Sequence, residues 1–301
     1  MIRKLITLIT SVFLLVNSLY EDQDNWKVKY KSSCAGTLQS PIDITDTDTT
    51  YNGNLPALVW SNLVNPAGNV EVTNTGKTIE ISIPDKTVQL ANGDIKYYLR
   101  TIQFHWAKAK KEDGSEHHVN NKKYPMEAQL ILYNTNEQSY ANALNKNNGV
   151  LIVSLLFKEG MKSEDTLLAK IINSNRQTIM PVGLKMEIEA LDIPKLLKAH
   201  FALDQYVTYE GSLTWPVCTE KVNWIVHTKP SYISTEQLEK FKSLIELSDN
   251  DVINYRKLQP LNARKVYRNF QGTVSGFVQF DNNKIIYSAI LLRIMIKLMD
   301  F

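Results

Sequence analysis

The sequence predicts a single α+β domain in which β-strands predominate. Many short segments alternate between apolar and polar residues, which is the pattern of strands with one buried face, and turn-forming residues separate them. Helical patterning occurs in only two places, and neither a repeat nor a linker rich in proline, glycine or serine divides the chain. With 301 residues, 44% of them hydrophobic, the chain is long enough to bury one large core.

The strand predictions rest on alternation and on one apolar run. Residues 70–72 and 78–83 alternate, with a turn-like sequence at 74–76 between them, and residues 185–190 alternate again. Residues 150–157 form a continuous apolar run of strand length. Such a run predicts a central strand that is buried on both faces.

Two segments, residues 163–172 and 235–245, carry the helical patterns. The second begins with a capping-box pattern, in which a hydroxyl side chain and a glutamine or glutamate satisfy each other's backbone N–H groups. The candidates for this box are Ser234 or Thr235 with Gln237 or Glu239.

The N-terminal end has the composition of a secretory signal. A basic tip with Arg3 and Lys4 precedes an apolar stretch at 5–16, which is shorter than the about 20 residues that span a membrane. Small residues near Ser18 favour cleavage after that position, so residues 1–18 are predicted to be a signal peptide. A buried N-terminal strand or helix is the alternative.

The C-terminal segment, residues 271–301, is an apolar extension whose role the sequence leaves open. Residues 272–276 are small and polar, and residues 285–301 are strongly apolar yet contain Arg293 and Lys297. This order partly fits the signal for a glycolipid anchor, although the two cations weigh against it. An amphipathic helix on the body or on a membrane surface and a disordered end are the other interpretations.

Charge and cysteine content bear on the partners and the compartment. The chain has 34 basic and 31 acidic residues, and loss of Arg3 and Lys4 with the signal leaves a net charge of about +1, which gives no reason to expect nucleic acid. Only two cysteines occur, Cys34 and Cys218, and an even number in a secreted chain favours pairing, although the sequence alone does not show proximity. The predicted location is extracellular, with cell-surface anchoring through the tail as an option.

Two strand segments carry the candidate site. In Gln103-Phe104-His105-Trp106, Gln103 and His105 share one face because successive side chains of a strand point to opposite sides. A second strand is predicted at 126–134, and it contains Gln129. The sequence Gly114-Ser115-Glu116-His117 lies between the two.

Together with further markers, these segments resemble the alpha-class carbonic anhydrases. The resemblance covers roughly residues 26–270, and it implies a domain at 19–270 with a large, twisted, mostly antiparallel central sheet and a conical pocket at its centre. Cys34 and Cys218 match the disulfide of secreted members. The other markers are the sequences at 39–44, 211–214, 224–226 and 259–262.

The family's chemistry requires three imidazoles that hold zinc and a bound water whose pKa the metal lowers to about 7. The resemblance places these three positions at Gln103, His105 and Gln129, so that only His105 is a histidine. A neutral carboxamide is a poor zinc ligand. One histidine does not make a zinc site, and no cofactor is expected.

Other family positions also depart from the pattern. Lys77 replaces a histidine that shuttles protons, and a lysine with an ordinary pKa near 10.4 is a poor relay at neutral pH. Trp215 replaces a small residue, so we expect it to narrow the pocket. Glu116 and Thr214 match the acid–hydroxyl pair that orients zinc-bound hydroxide. Without the metal ligands, we expect this pair to be a buried structural hydrogen bond.

The resemblance also implies an apolar pocket wall, which in this chain is expected to serve as core. Besides Trp215, its members are Leu213, Ile131, Ile152, Val222 and Trp224.

The predicted function is that of a secreted carbonic anhydrase-related protein without zinc or hydratase activity, acting as an extracellular binding or structural module for an unknown partner. The alternative is an enzyme that retains zinc through His105 with Gln103, Gln129 or water and hydrates carbon dioxide to bicarbonate. A bulk storage protein is not separable from the first reading by sequence. Membrane contact is expected only if the C-terminal tail anchors.

Overall fold

The computed structural model describes residues 23–63, 70–84, 86–107, 113–160, 183–188, 192–201, 203–243 and 254–274. The predicted signal peptide, the predicted helix at 163–172 and the tail beyond residue 274 lie outside the described residues. Among the described residues, no helix has the length and apolar character needed to cross a membrane.

The described chain contains fourteen strands. They are β1 (Asp43–Ile44), β2 (Thr49–Tyr51), β3 (Leu58–Ser61), β4 (Val70–Asn74), β5 (Ile79–Ser82), β6 (Gln89–Asn92), β7 (Ile95–Trp106), β8 (His118–Val119), β9 (Met126–Asn134), β10 (Val150–Glu159), β11 (Lys185–Ile188), β12 (Tyr206–Ser212), β13 (Glu220–Ile233) and β14 (Val266–Arg268).

Helices are few and short in the described chain. A 3₁₀ turn covers Gln23–Asn25, and five α-helices follow. They are α1 (Trp26–Lys29), α2 (Lys31–Cys34), α3 (Tyr140–Ala143), α4 (Ile193–His200) and α5 (Thr235–Ser243).

Twelve of the strands form one large mixed sheet with the order β11-β4-β5-β7-β9-β10-β13-β12-β14-β2, and β3 joins it through β6, which pairs with β7. The pairs β10–β13 and β14–β2 are parallel, and the other described pairs of this sheet are antiparallel. Short strands β11 and β2 end the path at either side. The prediction of a mostly β, α+β domain with a mostly antiparallel sheet is confirmed.

Strict alternation along the central strands separates two apolar cores. On β9, Met126, Ala128 and Leu130 belong to the first core, whereas Ile131 and Tyr133 belong to the second. The first core lies under α4 and α5, where the Phe241 ring is 5.2 Å from the ring of Phe104 and 5.0 Å from that of Trp106. The opposite face carries the second core and the candidate site.

The strand predictions agree with the observed elements near residues 70–72, 78–83, 103–106, 126–134 and 150–157. The strand predicted at 185–190 is observed as Lys185–Ile188. The predicted capping box is also present at α5. Ser234 accepts a hydrogen bond at Oγ from the Gln237 backbone N–H (3.1 Å), and Gln237 accepts at Oε1 from the Ser234 N–H (3.0 Å).

Cys34 and Cys218 form a disulfide, as the resemblance implies, and it joins residues 184 positions apart. Both cysteines are fully buried against Trp26. The bridge therefore fixes the N-terminal helices to the loop between β12 and β13. At the other end of the described chain, Val274 is buried in the second core, so packing continues four residues past the predicted boundary at residue 270.

Candidate functional site

A row of polar residues crosses four neighbouring strands on the face of the second core. The register pairs Glu80 of β5 with Gln103 of β7, Gln103 with Gln129 of β9, and Gln129 with Ser154 of β10. Directly paired residues of adjacent strands point to the same face, with Cβ atoms about 5 Å apart. The sheet therefore brings the two predicted glutamines together, as the sequence pattern indicated.

His105 and Glu127 form the next such pair, two residues along β7 and β9. A step of two residues keeps the side chain on the same face. The three positions that the resemblance assigns to metal ligands, Gln103, His105 and Gln129, therefore lie side by side. All three residues are buried, with exposed fractions of 8% or less.

Each glutamine directs its amide nitrogen at carboxylates. Gln103 Nε2 donates to Glu80 Oε2 (2.6 Å), and Gln129 Nε2 donates to Glu116 Oε2 (2.8 Å) and to Glu127 Oε1 (2.9 Å). Because an ionised carboxylate only accepts hydrogen bonds, these contacts define which end of each amide carries the N–H groups. Gln129 Oε1 is buried and has no hydrogen-bond partner in the described structure.

The imidazole of His105 is held from one side. Its Nδ1 lies 2.7 Å from the backbone oxygen of Asn254, and that carbonyl can only accept, so Nδ1 carries the proton. Nε2 of the neutral ring is then a lone-pair acceptor, and it has no partner within the described residues. Asn254 is itself fixed to β7, because its side chain accepts from the Trp106 N–H (2.7 Å) and donates to the Phe104 oxygen (2.9 Å).

The donor set at these positions does not fit zinc. One imidazole nitrogen is accompanied by two carboxamides whose N–H ends are engaged with carboxylates, and neutral amide oxygens are poor partners for this metal. No group of three or more histidine, cysteine, aspartate or glutamate side chains in the described ranges is arranged to hold a metal ion.

Glu127 is the polar centre beneath the site and is fully buried. Its Oε2 accepts from the backbone N–H groups of Glu116 (2.9 Å) and His117 (2.8 Å). Its Oε1 lies 2.9 Å from His117 Nδ1 and accepts from Gln129 Nε2 and from Ser154 Oγ (2.8 Å). Burial alone would raise the pKa of Glu127, but the His117 imidazole and the backbone donors outweigh it and lower the pKa to about 2.

This pKa makes Glu127 a determinant of acid stability. The folded pKa lies below the ordinary value of 4.5, so the stabilisation is present above about pH 4.5 and is lost as the pH falls toward 2. We expect the free energy of unfolding to drop by about 3 kcal/mol over this window from this group. Glu127→Gln should lower stability at pH 7 and remove that part of the pH dependence, measured by denaturant titration at several pH values.

Glu210→Gln is the matched control for this prediction, because Glu210 is an exposed glutamate of β12. It should unfold like the unmodified protein at every pH. If Glu127→Gln keeps the original slope between pH 4.5 and 2, Glu127 does not carry the acid dependence.

The expected hydrogen bond between Glu116 and Thr214 is not formed in the structure. Glu116 accepts at Oε1 from the Arg256 backbone N–H (2.9 Å) and at Oε2 from Gln129. Thr214 Oγ1 is buried and without a partner among the described residues. A neutral imidazole has one N–H, whereas the Gln129 carboxamide has two. The second N–H of Gln129 donates to Glu116 Oε2, so Gln129 occupies the oxygen that Thr214 was expected to use.

Above these groups lies a pocket of about 330 Å³. Its lining residues are Thr75, Lys77, Thr78, Glu80, Arg100, Gln103, His105, Tyr140, Leu144, Leu213, Trp215, Pro216, Val217 and Thr219. Lys77 is half-buried, and burial lowers the pKa of its ammonium from the ordinary range. Trp215 lines this pocket, and its narrowing of the site stays a prediction.

Four of the predicted wall residues do not line this pocket. Ile131, Ile152, Val222 and Trp224 are buried in the second core, and only Leu213 and Trp215 of the predicted wall face the pocket. Tyr140, Leu144 and Trp215 pack against the second core, and they line the pocket in place of these four residues. The expectation that these apolar residues serve as core is thus met for those four.

Sequence reasoning missed Glu80, Ser154 and Asn254 of the hydrogen-bond network, and Arg100 and Tyr140 of the pocket lining. Ser154 had a signal, since it is the polar residue inside the apolar run at 150–157, and a hydroxyl buried there needs a partner. Alternation at 78–83 marked Glu80 only as part of a polar face. Nothing in the sequence indicates that Asn254 contacts His105 and Trp106.

Comparison with known proteins agrees with this geometry. A model of the eukaryotic-type carbonic anhydrase family matches residues 21–270. Carbonic anhydrase 6 of Bos taurus is 33% identical over 252 residues, which cover 83% of this chain and 78% of that protein. Carbonic anhydrase 6 of Homo sapiens is 32% identical over 271 residues, or 88% of this chain and 86% of that protein.

A relative of another kind is the receptor-type tyrosine-protein phosphatase zeta of Homo sapiens. It is 30% identical over 263 residues, which cover 83% of this chain but only 11% of the phosphatase. The same domain thus resembles both carbonic anhydrases and a small part of a receptor-type protein. Taken with the sheet order and the row of site residues, the matches show that this chain belongs to the eukaryotic-type carbonic anhydrase family.

Proposed function

We propose that this protein is a carbonic anhydrase-related domain that holds no zinc, does not hydrate carbon dioxide and acts as an extracellular binding module. The observation that carries the proposal is the hydrogen bonding of Gln103 and Gln129. Both amides are committed to Glu80, Glu116 and Glu127 through their N–H groups, so the positions of two metal ligands are built into a hydrogen-bond network.

The rest of the site supports the same proposal. Glu116 is bonded to Gln129 instead of Thr214, so the pair that would orient a hydroxide is not assembled. Lys77 stands at the position that the resemblance assigns to the proton shuttle, and Trp215 and Glu80 line the same pocket as His105. A fold does not carry the chemistry of its relatives once the residues of the site have changed.

Two observations favour a binding role outside the cell. The buried Cys34–Cys218 disulfide is typical of proteins that mature in an oxidising compartment. The match to the receptor-type phosphatase covers 11% of that protein, so a domain of this kind occurs as a module within a larger receptor-type chain. The partner in our proposal is an extracellular molecule, and nucleic acid is not expected at a net charge of +3 for the whole chain.

The competing function is hydration of carbon dioxide by zinc, which the names of the relatives favour. We expect secreted protein, purified without chelators, to contain zinc far below one ion per chain and to hydrate carbon dioxide at the uncatalysed rate. Elemental analysis and stopped-flow hydration assays measure the two quantities, with human carbonic anhydrase 6 as the positive control. Stoichiometric zinc together with sulfonamide-inhibitable hydration would falsify the proposal.

A further inference from the structure

Unpartnered polar atoms are concentrated at the pocket. In the described part of the chain, eight buried side-chain nitrogen or oxygen atoms lack a hydrogen-bond partner. Two of them, His105 Nε2 and Tyr140 Oη, belong to residues that line the pocket. Two more belong to neighbours of lining residues: Gln129 Oε1, paired with Gln103, and Thr214 Oγ1, between Leu213 and Trp215 in sequence. Buried polar groups in native proteins nearly always have partners, so such a cluster indicates a ligand site.

The floor of this pocket accepts hydrogen bonds. His105, which lines the pocket, has a lone pair at Nε2 because Nδ1 donates to the Asn254 carbonyl. Behind it, the fully buried Gln129 has an acceptor at Oε1 because its Nε2 serves two carboxylates. The amide nitrogen of Gln103 uses one N–H on Glu80, so this side chain offers its oxygen as an acceptor and keeps one further N–H. A floor of this kind selects N–H donors and repels anions, the opposite of a metal centre.

The wall of the pocket has charges of both signs. Glu80 provides a carboxylate next to the floor, and the cations Lys77 and Arg100 lie elsewhere in the lining. The Arg100 guanidinium is held 4.5 Å from the centre of the Tyr140 ring. Leu213, Trp215 and Val217 complete the wall with apolar surface. A ligand that satisfies all parts carries a cationic donor, an anion and an apolar group.

We propose that this pocket binds a small zwitterion of the α-amino-acid class. Its ammonium group contacts the acceptor floor and Glu80, its carboxylate faces Lys77 and Arg100, and a branched apolar side chain packs against the wall around Trp215. A volume of about 330 Å³ suits a molecule of this size. The inference rests on the zinc-free function proposed above, because a metal on His105 would turn the floor into an anion site.

Three probes of equal heavy-atom count test the charge pattern: L-valine, L-valinamide and 2,3-dimethylbutanoate. Valinamide lacks the carboxylate charge, and dimethylbutanoate has a methyl group in place of the ammonium. We expect valine to bind with a Kd on the order of 1 mM and each analogue about tenfold more weakly, because each loses one charge-assisted interaction. Titration of ¹⁵N-labelled protein by NMR gives both affinity and location.

Two variants separate the ends of the ligand. Lys77→Met should weaken valine and dimethylbutanoate about threefold or more and leave valinamide unchanged, whereas Glu80→Gln should weaken valine and valinamide and strengthen dimethylbutanoate. Gln in place of Glu80 still accepts from Gln103. Lys96→Met is the control, because Lys96 is an exposed lysine of the same strand β7, and it should change nothing.

The inference is overturned if dimethylbutanoate binds as tightly as valine, if valinamide does, or if none of the three shifts resonances of the pocket. Zinc content, measured on the same sample, distinguishes a failure of this inference from a failure of the proposed zinc-free function. A zinc-free protein that ignores valine contradicts only the inference, whereas a zinc-loaded protein contradicts the proposed function.

Discussion

Replacing Gln103 and Gln129 by histidine together is expected to create a zinc site, raising zinc affinity by at least about 10³-fold. Loss of a single hydrogen-bond partner of a ligand changes metal affinity by about 10–100-fold, and this double variant restores two ligands. The register already places both positions beside His105. Glu127 remains in place to accept from a histidine at 129, as it now accepts from Gln129.

The same substitution repairs a second fault. A histidine at 129 has one N–H for Glu127 and none for Glu116, so Glu116 Oε2 becomes free to accept from Thr214. Hydration of carbon dioxide should nevertheless return only weakly, because Trp215 and Glu80 share the pocket with His105 and Lys77 replaces the shuttle. Adding Trp215→Thr should then raise the rate, measured by stopped-flow hydration on zinc-loaded protein.

The control is a second double variant that adds two histidines elsewhere. Gln138 and Gln271 are both exposed, and Gln138→His with Gln271→His should gain no stoichiometric zinc. Competition with a chelating dye measures both proteins. A folded Gln103→His, Gln129→His variant that binds zinc no better than this control would mean that the strands do not hold the three side chains within tetrahedral reach.

The second large effect is expected from the disulfide. Replacing Cys34 and Cys218 by serine should lower the free energy of unfolding, by up to about 5 kcal/mol in the chain-entropy model for a loop of this length. The bridge holds the buried Trp26 cluster to the β12–β13 loop, where Gln39 Nε2 also donates to the Cys218 oxygen (3.3 Å). Denaturant titration of the oxidised protein and of the double variant measures the difference.

Ser33→Ala is the control, since Ser33 precedes the first cysteine and the substitution removes one weak side-chain hydrogen bond of the described structure, from Oγ to the Tyr30 oxygen (3.4 Å). It should unfold close to the unmodified protein. Chemical reduction of the unmodified protein should reproduce the loss seen in the double variant. Equal unfolding free energies with and without the bridge would show that contacts of the folded N-terminal helices, and not the crosslink, fix this region.

Much of the fold followed from patterns that are local in sequence. The period of two along a strand is enough to place Gln103 and His105 on one face, and the structure agrees. The Ser234–Gln237 box is equally local, because its two hydrogen bonds join residues three apart. Such features need no knowledge of what packs against them.

The hydrogen bonding inside the site was not predictable in this way. Glu80 reaches Gln103 only because β5 pairs with β7 in one register, and β7 itself carries an irregularity between Leu99 and Thr101 that resets its pairing with β9. The resemblance paired Glu116 with Thr214, whereas in the structure Gln129 donates to its carboxylate. The sequence shows that Gln129 has two N–H groups, but only the structure shows that one goes to Glu116 and the other to Glu127.

The ends of the large sheet bear on how the protein behaves at high concentration. Unpaired edges are where a second chain can add a strand and begin aggregation. Here the terminal strands β11 and β2 are only four and three residues long. Lys185 and Glu187 place charge along β11, and the Arg268 side chain binds Thr49 of β2. Within the described residues, these two terminal strands give an incoming strand little backbone to pair with, which disfavours edge-to-edge association at either end of the path.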